Sequence, residues 1–300
     1  MNPAPALTEL PAFACARLSA PIVMAHGLFG FRRIGLGPVT LAWYFRGIPG
    51  LLEAAGNRVV VTRVHPTAGV SRRARKLGEQ IHANFPDEPI HLIGHSMGGL
   101  DARALAADPA WKGRILSLTT IATPHLGSAI ADFAKLRVGR IYTLLEKLGI
   151  DHHGFLDVTP RAAAEFNRRT PLPDWLPAFS VAGDPPEDEV CWPLRRLHQA
   201  LLDLEGPNDG LVSVSSATAL GVPLPAWPLD HFQQMNWLSP EAPTDPFPRV
   251  AGHYADVVAN LAGMGFGVVD EDLRSSKVFE SDKIGVGFVP GTSSGAEKTR

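Results

Sequence analysis

Short, almost wholly apolar runs recur along the chain, and stretches of helical period separate them. Pro21-Ile22-Val23-Met24-Ala25, Arg58 to Val64, Pro89-Ile90-His91-Leu92-Ile93, Ile115 to Ile121 and Ala178 to Ala182 each read as a short buried strand. After the second, Val70, Ala74, Leu77 and Ile81 recur at helical spacing. After the third comes Gly99 to Ala107, a helix stopped by Asp108-Pro109. Tyr254, Val257, Val258 and Leu261 mark a closing helix. Strands that are continuously apolar are covered on both faces. Strand and helix in alternation therefore predict a mostly parallel sheet with helices on both sides, and ligands on such sheets bind beyond the carboxyl ends of the strands.

Three regions depart from this pattern. Gly127 to Arg169 is a long, largely helical insertion between two strands, with an apolar stripe at Ile141, Leu144, Leu145 and Leu148. Gly221 to Pro248 carries seven prolines and reads as a stiff, irregular surface crossing. Beyond residue 265 the chain turns polar and rich in Ser, Gly and Lys, which predicts a tail over 266–300, disordered or docked, after a single domain over 1–265.

The 300 residues are 45% hydrophobic, enough for a sizeable core, and the net charge of −2 gives no electrostatic reason to expect a nucleic-acid partner. No apolar run approaches the roughly 20 residues that cross a bilayer. Met1 to Ala20 does not read as a secretory signal, being interrupted by Glu9 and Arg17, which favours the cytoplasm over secretion with a signal removed. Cys15 and Cys191 are then expected to be thiols rather than a disulfide. The basic cluster Arg72, Arg73, Arg75 and Lys76 reads as a solvated helix face.

Candidate chemistry enters at Gly94-His95-Ser96-Met97-Gly98, which fits Gly-x-Ser-x-Gly between a strand and a helix. That context defines a nucleophile elbow, a sharp turn that lifts the serine hydroxyl above the sheet. A serine hydroxyl needs a base to take its proton and a carboxylate to orient the base, in the chain order Ser, acid, His. Gly206-Pro207-Asn208-Asp209-Gly210 offers Asp209 on a turn, with Asp184 as the rival acid. His231, on a loop after the proline-rich crossing, is favoured as base over His253 at the start of the last helix. The oxyanion needs two N–H donors: Met97, after the nucleophile, and Leu28, in the loop His26-Gly27-Leu28-Phe29-Gly30 after the first strand.

With Thr123-Pro124-His125-Leu126-Gly127-Ser128, Val158-Thr159-Pro160 leading to Phe166-Asn167, Asn208 to Val212, and His231 followed by Asn236, these motifs resemble the bacterial triacylglycerol lipases of the Pseudomonas and Burkholderia type over roughly residues 20 to 262. The resemblance implies an α/β-hydrolase fold with a helical lid in the 127–169 insertion, and a triad of Ser96, Asp209 and His231 with Leu28 and Met97 at the oxyanion hole. It implies no cofactor for catalysis and a substrate such as an acylglycerol, met at a lipid–water interface. It also implies a structural calcium held by a carboxylate two residues after the histidine and an amide six after it. Those positions here are Gln233 and Trp237, which speaks against calcium binding in the family manner. The expected function is a serine carboxylic-ester hydrolase acting as a lipase. A short-chain esterase, polyester hydrolase or acyltransferase with the same triad, and a catalytically silent acyl-binding protein, stand as alternatives.

Overall fold

The structure, a computed structural model, describes residues 13–28, 34–36, 39–42, 44–131, 151, 153–238 and 249–268. The chain divides into two units, 1–267 and 268–300, and of the second only Val268 is described. The strands are β1 Ile22–Ala25, β2 Ile34–Leu36, β3 Val39–Ala42, β4 Val59–Val61, β5 Ile90–His95, β6 Ile115–Ile121, β7 Ala178–Val181 and β8 Val222–Pro223. The helices are α1 Ile48–Ala54, α2 Val70–Asn84, α3 Met97–Ala106, α4 His153–Asp157, α5 Pro160–Arg169, α6 Arg195–Glu205, α7 Val214–Ala217 and α8 Arg249–Leu261.

Six strands form one parallel sheet in the order β4-β1-β5-β6-β7-β8, and β2 pairs antiparallel with β3. Alternate side chains of the sheet feed two cores. Ile22, Met24, Ile93 and Ile121 pack with Ile48 and Leu52 of α1 and Tyr254, Val258 and Leu261 of α8. Val23, Leu92 and Leu118 pack with Leu77 and Ile81 of α2 and Ala102 and Leu105 of α3. The sheet is thus covered on both faces, as its apolar strands require.

Five strands and three helices lie where the apolar pattern places them. The proline-rich crossing contains β8, two residues long and joined to β7 in parallel, where the sequence predicts only irregular chain. Pro223 is tolerated there because β8 is the edge strand. The β2–β3 ribbon, α1 and α6 are not anticipated, although Leu197, Leu201 and Leu204 of α6 recur at helical spacing. Part of the 127–169 insertion is helical, as α4 and α5, but the stripe Ile141, Leu144, Leu145 and Leu148 lies outside the described residues. Cys15 and Cys191 are free thiols. Among the described residues no helix is long and apolar enough to cross a membrane.

Candidate functional site

Between β5 and α3 the backbone makes one sharp turn, and Ser96 sits on it with φ 56 and ψ −131. This left-handed conformation strains a residue that carries a Cβ, and the surrounding contacts hold it in place. The Ser96 N–H donates to the Ile121 carbonyl at 2.8 Å, and its own carbonyl accepts from the Thr123 hydroxyl at 2.9 Å and the Gly99 N–H at 3.0 Å. Space decides the flanking residues: a Cβ at Gly94 would lie 2.6 Å from the Gly99 Cα, and one at Gly98 would overlap the Ala25 carbonyl. Ser96 remains partly exposed while its neighbours are buried.

The structure brings Asp209 and His231, the candidate acid and base, together. His231 Nδ1 lies 2.8 Å from Asp209 Oδ2, and the His231 N–H donates to the Asp209 carbonyl at 2.9 Å. Asp209 is wholly buried and His231 nearly so. Asp209 Oδ1 accepts from the Leu211 and Val212 N–H groups at 3.0 and 2.8 Å, and Asn208 ties the same turn down by accepting from the Gly210 N–H at 2.8 Å. Burial alone would raise the Asp209 carboxyl. The His231 charge and hydrogen bond, with the two N–H groups, outweigh it and hold the carboxyl below its usual value. A carboxylate facing Nδ1 fixes the proton there and leaves Nε2 to act as base.

Asp184, the rival acid, is exposed. His253 stacks on Trp227, with ring centroids 5.3 Å apart, and takes a packing role.

Leu28, Ser96 and His231 line one apolar cavity of about 480 Å³, walled by Val158, Leu194, Leu197, Val212 and Met235 among others. The loop after β1 lies against the nucleophile, since a Cβ at Gly27 would come within 2.8 Å of the Ser96 Cβ. Leu28 and Met97 follow Gly27 and Ser96 directly, so both oxyanion candidates belong to backbone beside the serine hydroxyl.

Three buried polar residues complete the site, and none is anticipated from the sequence. Arg73, read as part of a solvated face, is wholly buried. Its Nε lies 2.8 Å from Asp101 Oδ2, and its Nη1 and Nη2 donate to the carbonyls of His65 and His26 at 2.7 and 2.6 Å. The loop that carries Leu28 is therefore fastened from below by a cation. A signal was present, because Arg73 falls between Val70 and Leu77 on the apolar stripe of α2. Asp230 holds the histidine loop, accepting from the N–H groups of Phe232 and Gln233 at 2.9 Å each and of Cys191 at 2.7 Å. Gln234 donates to Asp209 Oδ2 at 3.1 Å and accepts from His95 Nε2 at 3.0 Å.

At the position implied for calcium, Gln233 stands where a carboxylate is expected. Gln233 Nε2 donates to the Glu189 carbonyl at 2.9 Å, and its Oε1 accepts from the Asp230 N–H at 3.0 Å. Both ends of the Gln233 amide are thus engaged within the protein, and it offers no carboxylate oxygen. Trp237 lines the cavity instead. Among the described residues no group of three or more His, Cys, Asp or Glu could hold a metal.

Residues 67–184 match the alpha/beta hydrolase fold family. The parallel sheet with helices on both faces and the sharp turn at Ser96 make up the α/β-hydrolase fold. More particularly, the chain is similar to the triacylglycerol lipases, as the motifs imply. It is 30% identical to triacylglycerol lipase 2 of Saccharomyces cerevisiae over 205 residues, 65% of this chain and 62% of the yeast protein. It is 29% identical to the triacylglycerol lipase of Pseudomonas fragi over 266 residues, 73% of this chain and 88% of that protein. With the triacylglycerol lipase of Burkholderia plantarii the identity is 33% over 141 residues, 45% of this chain and 37% of that protein. The chain therefore spans less than two thirds of the yeast and B. plantarii lipases it matches. Among solved structures, Staphylococcus hyicus lipase aligns with a TM-score of 0.64 at 17% identity, covering 81% of this chain and 95% of that one. A metagenomic carboxyl esterase aligns with the same TM-score at 19% identity, covering 80% and 75%.

Proposed function

We propose that this protein is a serine carboxylic-ester hydrolase acting on acylglycerols, with Ser96, His231 and Asp209 as its triad. Ser96 Oγ attacks the ester carbonyl carbon and gives its proton to His231 Nε2. The backbone N–H groups of Leu28 and Met97 receive the negative oxygen of the tetrahedral intermediate. As the intermediate collapses, His231 returns the proton to the departing alkoxide, and the acyl group stays on Ser96. Water then attacks the acyl carbon, His231 takes one of its protons, and the second collapse releases the acid and restores Ser96. Asp209 holds the imidazole and balances its charge in both halves. No step of this sequence needs a cofactor, and Asp230 and Gln233 hold the histidine loop.

The observation that carries this reading is Asp209 Oδ2 at 2.8 Å from His231 Nδ1, with His231 lining the same apolar cavity as Ser96. The cavity walls suit an acyl chain. A lipid surface is supported by Trp192, Leu126 and Leu238, which are 78%, 50% and 51% exposed, each within two residues of a cavity-lining residue.

The test is a rate series on nitrophenyl esters from acetate to palmitate, with emulsified triglyceride alongside. Activity is expected to extend to long acyl chains and to fall roughly 10⁴-fold or more in Ser96→Ala. Activity confined to short soluble esters would mark an esterase. Near-normal turnover in Ser96→Ala would overturn the mechanism.

A further inference from the structure

A continuous line of buried polar contacts runs from Tyr44, which packs against the oxyanion loop, to the triad acid. The Tyr44 hydroxyl packs against Gly27, where an added Cβ would lie 2.6 Å from it, and lies 2.8 Å from His95 Nδ1. His95 Nε2 lies 3.0 Å from Gln234 Oε1. Gln234 Nε2 lies 3.1 Å from Asp209 Oδ2 and 3.2 Å from the Leu229 carbonyl. His231 Nδ1 closes on the same Asp209 oxygen at 2.8 Å. Tyr44 is 3% exposed, and His95, Gln234 and Asp209 are wholly buried.

The chemistry of each member fixes the direction of every proton. Asp209 is held as a carboxylate and only accepts, so the Gln234 amide must face it with its NH₂ group. The Leu229 carbonyl also only accepts, and it takes the second amide proton. Gln234 Oε1 is then left to accept, which requires the proton of His95 on Nε2. His95 Nδ1 is then a bare acceptor, and the Tyr44 hydroxyl must donate to it. Burial, with the His231 charge adding to it, lowers His95 to about 3, so the ring is neutral at working pH and can hold one tautomer. No other arrangement of protons satisfies all of these contacts.

We propose that Tyr44, His95 and Gln234 act together as a positioning chain, locking the orientation of Asp209, and through it His231, to the backbone that receives the oxyanion. The inference rests on the triad reading above. None of the three residues exchanges a proton in the reaction. Each acts through the next, and Gln234 supplies the second hydrogen bond to the oxygen that His231 uses. The titratable groups around His231 are Asp209, His95, whose ring centroid is 4.7 Å away, and Asp230, the preceding residue.

Three variants of the full-length chain test this on a soluble nitrophenyl ester: Gln234→Ala, Tyr44→Phe and the double change. Gln234→Ala removes a charge-assisted hydrogen bond to Asp209. It should lower kcat about 10-fold or more and leave KM within about 2-fold. Tyr44→Phe keeps the ring on the cavity wall and frees only the His95 tautomer, so its loss in kcat should be smaller. Because both act along one line, the double variant should be no slower than Gln234→Ala alone. A loss in the double variant equal to the product of the two single losses would overturn the chain. Gln234→Glu adds a reading that general destabilisation would not move. Two carboxylates this close share one proton, so a protonated glutamate there keeps a donor to Asp209 and an acceptor for His95, and kcat should recover toward wild type relative to Gln234→Ala. A folded Gln234→Glu protein as slow as Gln234→Ala would also overturn the proposal. Ser96→Ala separates the two readings: near-normal turnover there removes the triad itself, whereas its loss together with unaffected Gln234 variants removes only the chain.

Discussion

Arg73 Nη2 lies 2.6 Å from the carbonyl oxygen of His26, so a buried cation grips the backbone one residue ahead of Gly27. The same guanidinium faces Asp101, whose carboxyl burial pushes upward against the pull of Arg73. Replacing Arg73 by Met should release the oxyanion loop and leave Asp101 buried without its partner, at a cost of roughly 3–5 kcal/mol in stability. Arg73→Lys keeps the charge but cannot reach Asp101 and two or more carbonyls at once. It should keep the fold and lower kcat/KM about 10-fold or more on a soluble ester. Wild-type kinetics in a folded Arg73→Lys protein would show that the grip is not needed for catalysis.

The approach of the oxyanion loop to Ser96 leads to a sharper substitution. A Cβ at Gly27 would meet the Tyr44 hydroxyl at 2.6 Å and the Ser96 Cβ at 2.8 Å. The backbone angles at Gly27 are not in the left-handed region, so alanine introduces a steric conflict without backbone strain. Either the loop or the serine must shift by a fraction of an ångström, and misplacement on that scale costs on the order of 10²-fold in rate. Gly27→Ala should therefore lose turnover by about that factor and change Tm little. A Gly27→Ala protein as fast as wild type would mean that the loop has more room than this geometry allows.

Four buried histidines predict acid sensitivity. Burial lowers His26 and His91 to about 4 and His95 and His125 to about 3, against 6.5 for the free side chain. The unfolded chain takes up these protons near pH 6.5 and the folded chain does not, so falling pH favours unfolding. The contribution to stability is complete above about pH 6.5. Below that it is lost at roughly 1.4 kcal/mol per pH unit for each histidine, until the folded values are reached. Tm should hold steady from pH 8 to 7 and fall by about 20 °C or more between pH 6.5 and 4.5. Thermal melts followed by circular dichroism across that range check this, and a flat Tm to pH 4.5 would contradict it.

What the sequence shows, and what it hides, follows from how each residue works. Ser96 is legible because its turn imposes a local pattern on its neighbours, and the strand before it and helix after it are apolar enough to recognise. Asp209 and His231 are legible through chain order, although each alone lies on an ordinary-looking loop. Arg73 and Gln234 are hidden because an arginine and a glutamine are usually solvated. Only the three-dimensional packing places a carboxylate and backbone carbonyls around one, and Asp209 and His95 around the other. Val222 and Pro223 are hidden for a different reason. A two-residue edge strand has no period to detect, and only its pairing with Phe179 and Ser180 makes it a strand.

The Gln233 amide holds the loop behind His231 from both of its ends. Its NH₂ group ties to the Glu189 carbonyl and its oxygen to the Asp230 N–H, which joins the histidine loop to the chain ahead of Cys191. Arg249 adds an ion pair to Glu189 at 2.8 Å. A calcium site filled at 100 times its Kd would add about 2.7 kcal/mol to stability, which at 2–4 °C per kcal/mol is a shift of roughly 5–10 °C. Melts in excess chelator and in millimolar calcium should therefore agree within about 1 °C, with hydrolysis of a soluble ester unchanged. Gln233→Asp should behave differently. It removes the donor to Glu189 and sets a carboxylate beside that carbonyl, so Tm should drop without calcium and recover in part when calcium is added. A wild-type Tm that falls by several degrees in chelator would show that an ion holds this loop after all.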